Sequence, residues 1–157
     1  VNWDSLNPVR SEIELEGDKV DAQLTAGTLN LNAQYDLNTT QVDGKVVLGG
    51  LNANLSGIVE EKFTVDTKIN SVDALMGSVN TIYDLGEVPV VKGSADISLE
   101  ITEMKKVGLN VRSPKIIYQP DSKTEHSVSD IDLALNMDDQ KVVLERYTLT
   151  YADQNLF

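Results

Sequence analysis

The sequence predicts a mainly β chain: one long antiparallel meander with an apolar and a polar face, broken once by an amphipathic helix. Three observations carry this. Apolar and polar residues alternate along most of the 157 residues, turn residues separate the alternating runs by a few positions, and a single stretch switches to helical spacing.

The first alternating runs are Ile13/Leu15 and Val20/Ala22/Leu24. In 29–37, Leu29, Leu31, Ala33, Tyr35 and Leu37 alternate with Asn30, Asn32, Gln34 and Asp36. Successive side chains of a strand point to opposite faces, so one face there is aliphatic and the other wet. Val42/Val46/Leu48 is weaker; Leu51/Ala53/Leu55 and Phe63/Val65/Ile69 are clear. Gly17-Asp18, Ala26-Gly27 and Gly49-Gly50 punctuate them. Connections this short join antiparallel neighbours, because parallel ones need a crossover of about a dozen residues.

From 71 to 85 the apolar residues are Val72, Leu75, Met76, Val79, Ile82 and Tyr83, the stripe of an amphipathic helix. Ser71 suits the N-cap and Asp73 the first turn; Gly86 and then Pro89 end it. Gly77 inside it costs about 1 kcal/mol relative to Ala. The stripe is expected to lie across the open apolar face and cover it. Asp73 and Asp84 are its only charges, which argues against a helix on a membrane surface.

Alternation resumes at Ala95/Ile97/Leu99/Ile101 and Val107/Leu109/Val111, with Ile116/Tyr118 weaker. Ile131/Leu133/Leu135/Met137 and Val143/Tyr147/Leu149/Tyr151 follow, separated by Asp138-Asp139. The total is ten or eleven half-buried strands. Leu29-Asn30-Leu31-Asn32-Ala33-Gln34 is echoed by Leu51-Asn52-Ala53-Asn54-Leu55-Ser56, two strands on. Repetition at strand-pair spacing suggests an array that grows by adding strands.

Composition narrows the function. Hydrophobic residues make up 41%, ample for a folded core, but aromatics only 5%, so aliphatic side chains must supply it. Thirteen basic against 25 acidic residues give a charge of -12, which phosphate backbones and anionic lipid surfaces repel. Nucleic acid is therefore not an expected partner. No cysteine means no disulfide, zinc-thiolate site or cysteine nucleophile. No apolar run approaches the roughly 20 residues of a membrane-spanning helix. The ends, Val1 and Phe157, read as cuts in a longer protein, with any membrane anchor expected outside this segment.

No constellation of catalytic residues appears, and neither enzyme activity nor a metal or cofactor is expected. His126, the only histidine, reads as a solvated loop residue in the polar stretch 121–130. Asp130-Ile131-Asp132 opens like a calcium loop but fails at Ala134 and Leu135, where an oxygen ligand and a glycine are required. Glu60-Glu61 reads as turn charge. Lys105, Lys106, Arg112, Lys115 and Lys123 read as a solvated edge.

A sheet with one aliphatic face must close into a barrel, find a second layer or form a trough. At this point Val47-Leu48-Gly49-Gly50-Leu51-Asn52-Ala53-Asn54-Leu55-Ser56-Gly57 and Lys92-Gly93-Ser94-Ala95-Asp96-Ile97-Ser98-Leu99-Glu100-Ile101 carry a resemblance. Asp130-Ile131-Asp132-Leu133-Ala134-Leu135 and Val143-Leu144-Glu145-Arg146-Tyr147-Thr148-Leu149 continue it. The chain resembles the AsmA-like superfamily, most nearly its TamB members. The resemblance implies a curved, taco-shaped open sheet with a hydrophobic groove, in the periplasmic part of an inner-membrane-anchored envelope protein. It implies a non-enzymatic role in phospholipid transport between inner and outer membranes and in outer-membrane biogenesis. Acyl chains would line up against Leu29, Leu31, Leu51, Leu55, Phe63, Val65, Ile97, Leu99, Ile131, Leu133 and Leu135. The alternative is a scaffold that assists outer-membrane β-barrel or autotransporter assembly by strand addition, with a TamA-like barrel or its clients as partner.

Overall fold

The computed structural model describes residues 1–155. A 3-10 turn, η1 (Trp3–Leu6), leads into six strands of equal length: β1 (Val9–Glu16), β2 (Lys19–Ala26), β3 (Leu29–Asp36), β4 (Gln41–Leu48), β5 (Leu51–Ile58) and β6 (Lys62–Ile69). One helix, α1 (Val72–Ile82), and a short strand, β7 (Val90–Gly93), separate these from β8 (Ala95–Thr102), β9 (Lys106–Gln119), β10 (Thr124–Met137) and β11 (Val142–Asn155). They form one antiparallel sheet in the order β1-β2-β3-β4-β5-β6-β8-β9-β10-β11, with β7 paired to β9 beyond the end of β8. The sheet is open and curved: β1 and β11 are its two edges.

Residues directly opposite across paired strands share a face, so the register sorts the side chains. One row runs Ile13, Ala22, Ala33, Gly44, Leu55, Val65, Leu99, Leu109, Leu135, Leu144. A neighbouring row runs Ser11, Leu24, Leu31, Val46, Ala53, Thr67, Ile97, Val111, Leu133, Tyr147. The rows through Leu15, Phe63 and Met137 and through Leu29, Leu51 and Ile69 flank them. No charged residue falls in any of the four. Asn, Asp, Lys and Ser occupy the other face, as the alternation predicts.

A single layer gives little interior. Among the described residues only Ala26 and Ala134 are buried apolar side chains, and no large side chain is fully buried. Cohesion comes from ladder hydrogen bonds and cross-strand pairs, each strand supported by its two neighbours.

Alternation changes phase in β9 and β10. Gly93 pairs with Ile116 but Asp96 with Arg112, so β9 holds one more residue than β7 and β8 beside it. On the far side, Ser129 pairs with Thr150 but Asp132 with Thr148, so β10 holds one more than β11. Between β9 and β10 the register is unbroken. The two extra residues sit side by side, at Pro114 and at Asp130, whose φ is 53°. Proline is tolerated inside the sheet there because β7 and β8 leave a gap in the pairing opposite it.

Four sequence expectations are corrected, the last of them the position of the helix, described below. The stretch 121–130 is not a loop throughout: from Thr124 it is the first half of β10, and His126 is half-buried in it. The basic residues from Lys106 to Lys115 lie on β9, an interior strand rather than an edge. The helix stops at Ile82, short of Gly86. Asn80 Oδ1 accepts the Leu85 N–H at 3.0 Å, giving the chain a side-chain acceptor where the next helical bond would form.

Ser71 caps α1 as expected, its hydroxyl accepting the Ala74 N–H at 3.1 Å. The helix does not span the apolar face. It sits at the strand ends that carry the β2–β3 and β4–β5 turns. Gly49 and Gly50 lie against Ser78, Ser71 and Leu75 with no room for a Cβ. On one side the Asn2 N–H of the η1 segment donates to Ile82 O at 2.6 Å, and on the other α1 packs on β7. Together η1, α1 and β7 wall one rim of the sheet.

Candidate functional site

The candidate site is the uncharged face. Leu29, Leu31, Leu51, Leu55, Phe63, Val65, Ile97, Leu99, Ile131, Leu133 and Leu135 all fall on it, and all are half-buried. Hairpin connections and equal strand lengths bring them together: each tight turn returns the chain one strand over with the same face presented. The row from Ile13 to Leu144 has no polar member. Nine strand spacings of about 4.8 Å make it roughly 43 Å long. Ala22, Ala33 and Gly44 make that row low near β2 to β4, and the aliphatic chains from Leu55 onwards raise it.

The helix stripe contributes to the rim rather than the floor. Val72, Leu75, Met76, Val79 and Ile82 are half-buried against the turns, and Tyr83 is exposed. Each buried methylene is worth about 0.8 kcal/mol, so this docking holds the rim without sealing the face.

Where the four rows end, the phase shift in β9 and β10 continues the same side with aromatic residues. Tyr118, His126 and Tyr151 stack in a ladder, ring centroids 6.2 and 6.1 Å apart and planes within 23°. His126 Nδ1 lies 2.8 Å from the Tyr151 hydroxyl. Sequence reading missed this group. The available signal was His126 and Val128 alternating with Ser127 and Ser129, one step out of phase with Ile131 and Leu133.

The opposite face is ionic. Asp132 Oδ1 lies 2.8 Å from an Arg146 terminal nitrogen and 3.5 Å from Arg112 Nε. These are ionic contacts rather than well-directed hydrogen bonds. The guanidiniums, Arg146 foremost, hold the Asp132 carboxyl below the usual carboxylate range. Lys62 pairs with Glu100 at 2.9 Å. A cleft of about 800 Å³ opens on this side, lined among others by Asn52, Asp66, Lys68, Asp96 and Arg112. A twisted sheet is saddle-shaped, so its polar side is concave along one diagonal.

Among the described residues no group of three His, Cys, Asp or Glu gathers to hold a metal. No helix among them is long and apolar enough to cross a membrane. No family model matches the chain, and no curated protein or solved structure matches it.

Proposed function

We propose that this chain is a non-enzymatic lipid-conduit segment, a stretch of hydrophobic groove that carries phospholipid acyl chains between the inner and outer membranes of a cell envelope. On this reading it is a periplasmic part of a larger AsmA-like, TamB-related protein and serves outer-membrane biogenesis. The observation that carries it is the polar-free row from Ile13 to Leu144 within an uncharged face. An acyl chain leaving a bilayer loses about 0.8 kcal/mol for each methylene exposed, and such a floor returns much of that. The polar face, with its ionic pairs, stays wet.

Purified chain examined by native mass spectrometry is expected to carry phospholipid. After delipidation it is expected to take up labelled phospholipid from vesicles. Delipidated, folded protein that takes up none would overturn the reading.

A further inference from the structure

We propose that the Tyr118–His126–Tyr151 ladder, with Asp153 across from His126, seats a zwitterionic phospholipid head, a phosphate followed by an ammonium; this site presupposes the conduit reading and gives it a lipid class. Val91, Tyr118, His126 and Asp153 stand in one cross-strand row and share a face, the groove side. The next row, Gly93, Ile116, Val128 and Tyr151, joins it to the aliphatic floor. The four apolar rows hold no charged residue, so a lipid lying on them needs its polar end seated beyond them.

Both ends of such a head find partners here. The Tyr151 hydroxyl lies 2.8 Å from His126 Nδ1 and orients the ring. Nε2 then carries a proton whenever the phenol donates to Nδ1, and also whenever the ring is charged. That N–H and the hydroxyl of the neighbouring Tyr118 ring are two donors for phosphate oxygens. Asp153 is an acceptor for the ammonium. Neither row holds a Lys or Arg. A head with phosphate alone would set an anion against the Asp153 carboxylate, and the chain's charge of -12 repels it further.

The spacing suits the tails. A bilayer core of about 30 Å gives one acyl chain about 15 Å, or roughly five strand residues at about 3.3 Å each. Counted from His126, that passes Val128 and reaches Ile131, where the aliphatic rows begin. A head seated at His126 therefore leaves its tails on the floor.

His126 is the only histidine, so its ring signals are unambiguous in NMR spectra. Delipidated chain is offered labelled lipids of matched chains in vesicles. It is expected to prefer phosphatidylethanolamine over diacylglycerol by roughly tenfold, the worth of one hydrogen bond to a charged group, and to prefer it over phosphatidylglycerol as well. Loading with phosphatidylethanolamine should bring a slowly exchanging His126 Nε2–H signal, and loading with diacylglycerol should not. With circular dichroism unchanged, His126→Phe should erase the preference over diacylglycerol, and Asp153→Asn the preference over phosphatidylglycerol. Equal uptake of the three lipids, a preference for phosphatidylglycerol, or His126 signals that ignore loading would overturn the head site and leave the conduit reading standing. Uptake of none removes that reading and the head site with it.

Discussion

The Ser113 hydroxyl donates a 2.6 Å hydrogen bond to the backbone carbonyl of Ser94, across the gap that separates β7 from β8. Ser113 is only 4% exposed, and it immediately precedes Pro114 at the extra residue of β9. A side chain thus replaces the ladder bond that the interrupted pairing leaves out.

Ser113→Ala should therefore cost about 1–3 kcal/mol, the penalty for a buried carbonyl losing its donor. Urea unfolding measures it. Serine to alanine at exposed Ser122, in the β9–β10 turn, should change stability by less than about 0.5 kcal/mol. Equal effects at both positions would show that the Ser94 bond does not support the sheet.

Gly50→Ala should release the helix. Gly50 has a φ of 79°, and a Cβ there would run into Ser71 O and the Leu75 N–H. Strain alone is worth about 1–3 kcal/mol. Hydrogen exchange should quicken across 72–82 while β9 to β11 keep their protection. Uniform loss of protection along the whole chain is the contrary result.

Leu55→Asp and Leu99→Asp each place a charge on the polar-free row, where an apolar occupant cannot solvate it. Either is expected to abolish phospholipid uptake while far-ultraviolet circular dichroism stays that of the sheet. Asn32→Asp adds the same charge to the opposite face and should leave uptake unchanged. Uptake by all three variants at the parent rate removes the groove from consideration.

Asp36, Asp121 and Asp132 all lie below the ordinary carboxylate value of 3.8. Backbone N–H groups of Thr39 and Asn38 hold Asp36 there, that of Lys123 leads for Asp121, and Arg146 leads for Asp132. A folded value below the unfolded one adds stability that is complete above about 3.8 and is lost as pH falls through the folded values. Thermal melts from pH 7 to 2.5 should show a steeper acid loss in the parent chain than in an Asp36→Asn, Asp121→Asn, Asp132→Asn variant. Parallel curves would show that these carboxylates carry no such linkage.

Much of the sheet was legible because its side-chain period is two and its turns are short. Leu29, Leu31 and Ala33 against Asn30, Asn32 and Gln34 leave no other reading. The same logic placed all eleven groove candidates on one face. Where legibility failed, the period itself was broken: Pro114 and Asp130 shift the phase, so Tyr118 and His126 looked unrelated to Val111 and Leu133. The helix was legible in existence and N-cap but not in position. An amphipathic stripe declares that it must bury one side, and only the Gly49-Gly50 contact tells which surface receives it.

The row from Ile13 to Leu144 carries neither charge nor hydrogen-bonding side chain, and this fixes how an apolar guest would travel along it. Apart from Gly44, each step of one strand exchanges one aliphatic contact for another, so no polar group makes any position a preferred address. Lifting the whole guest off forfeits every contact at once. On the proposed reading, friction along the floor would then be small beside the work of detachment, and the face would act as a rail that guides a guest without arresting it.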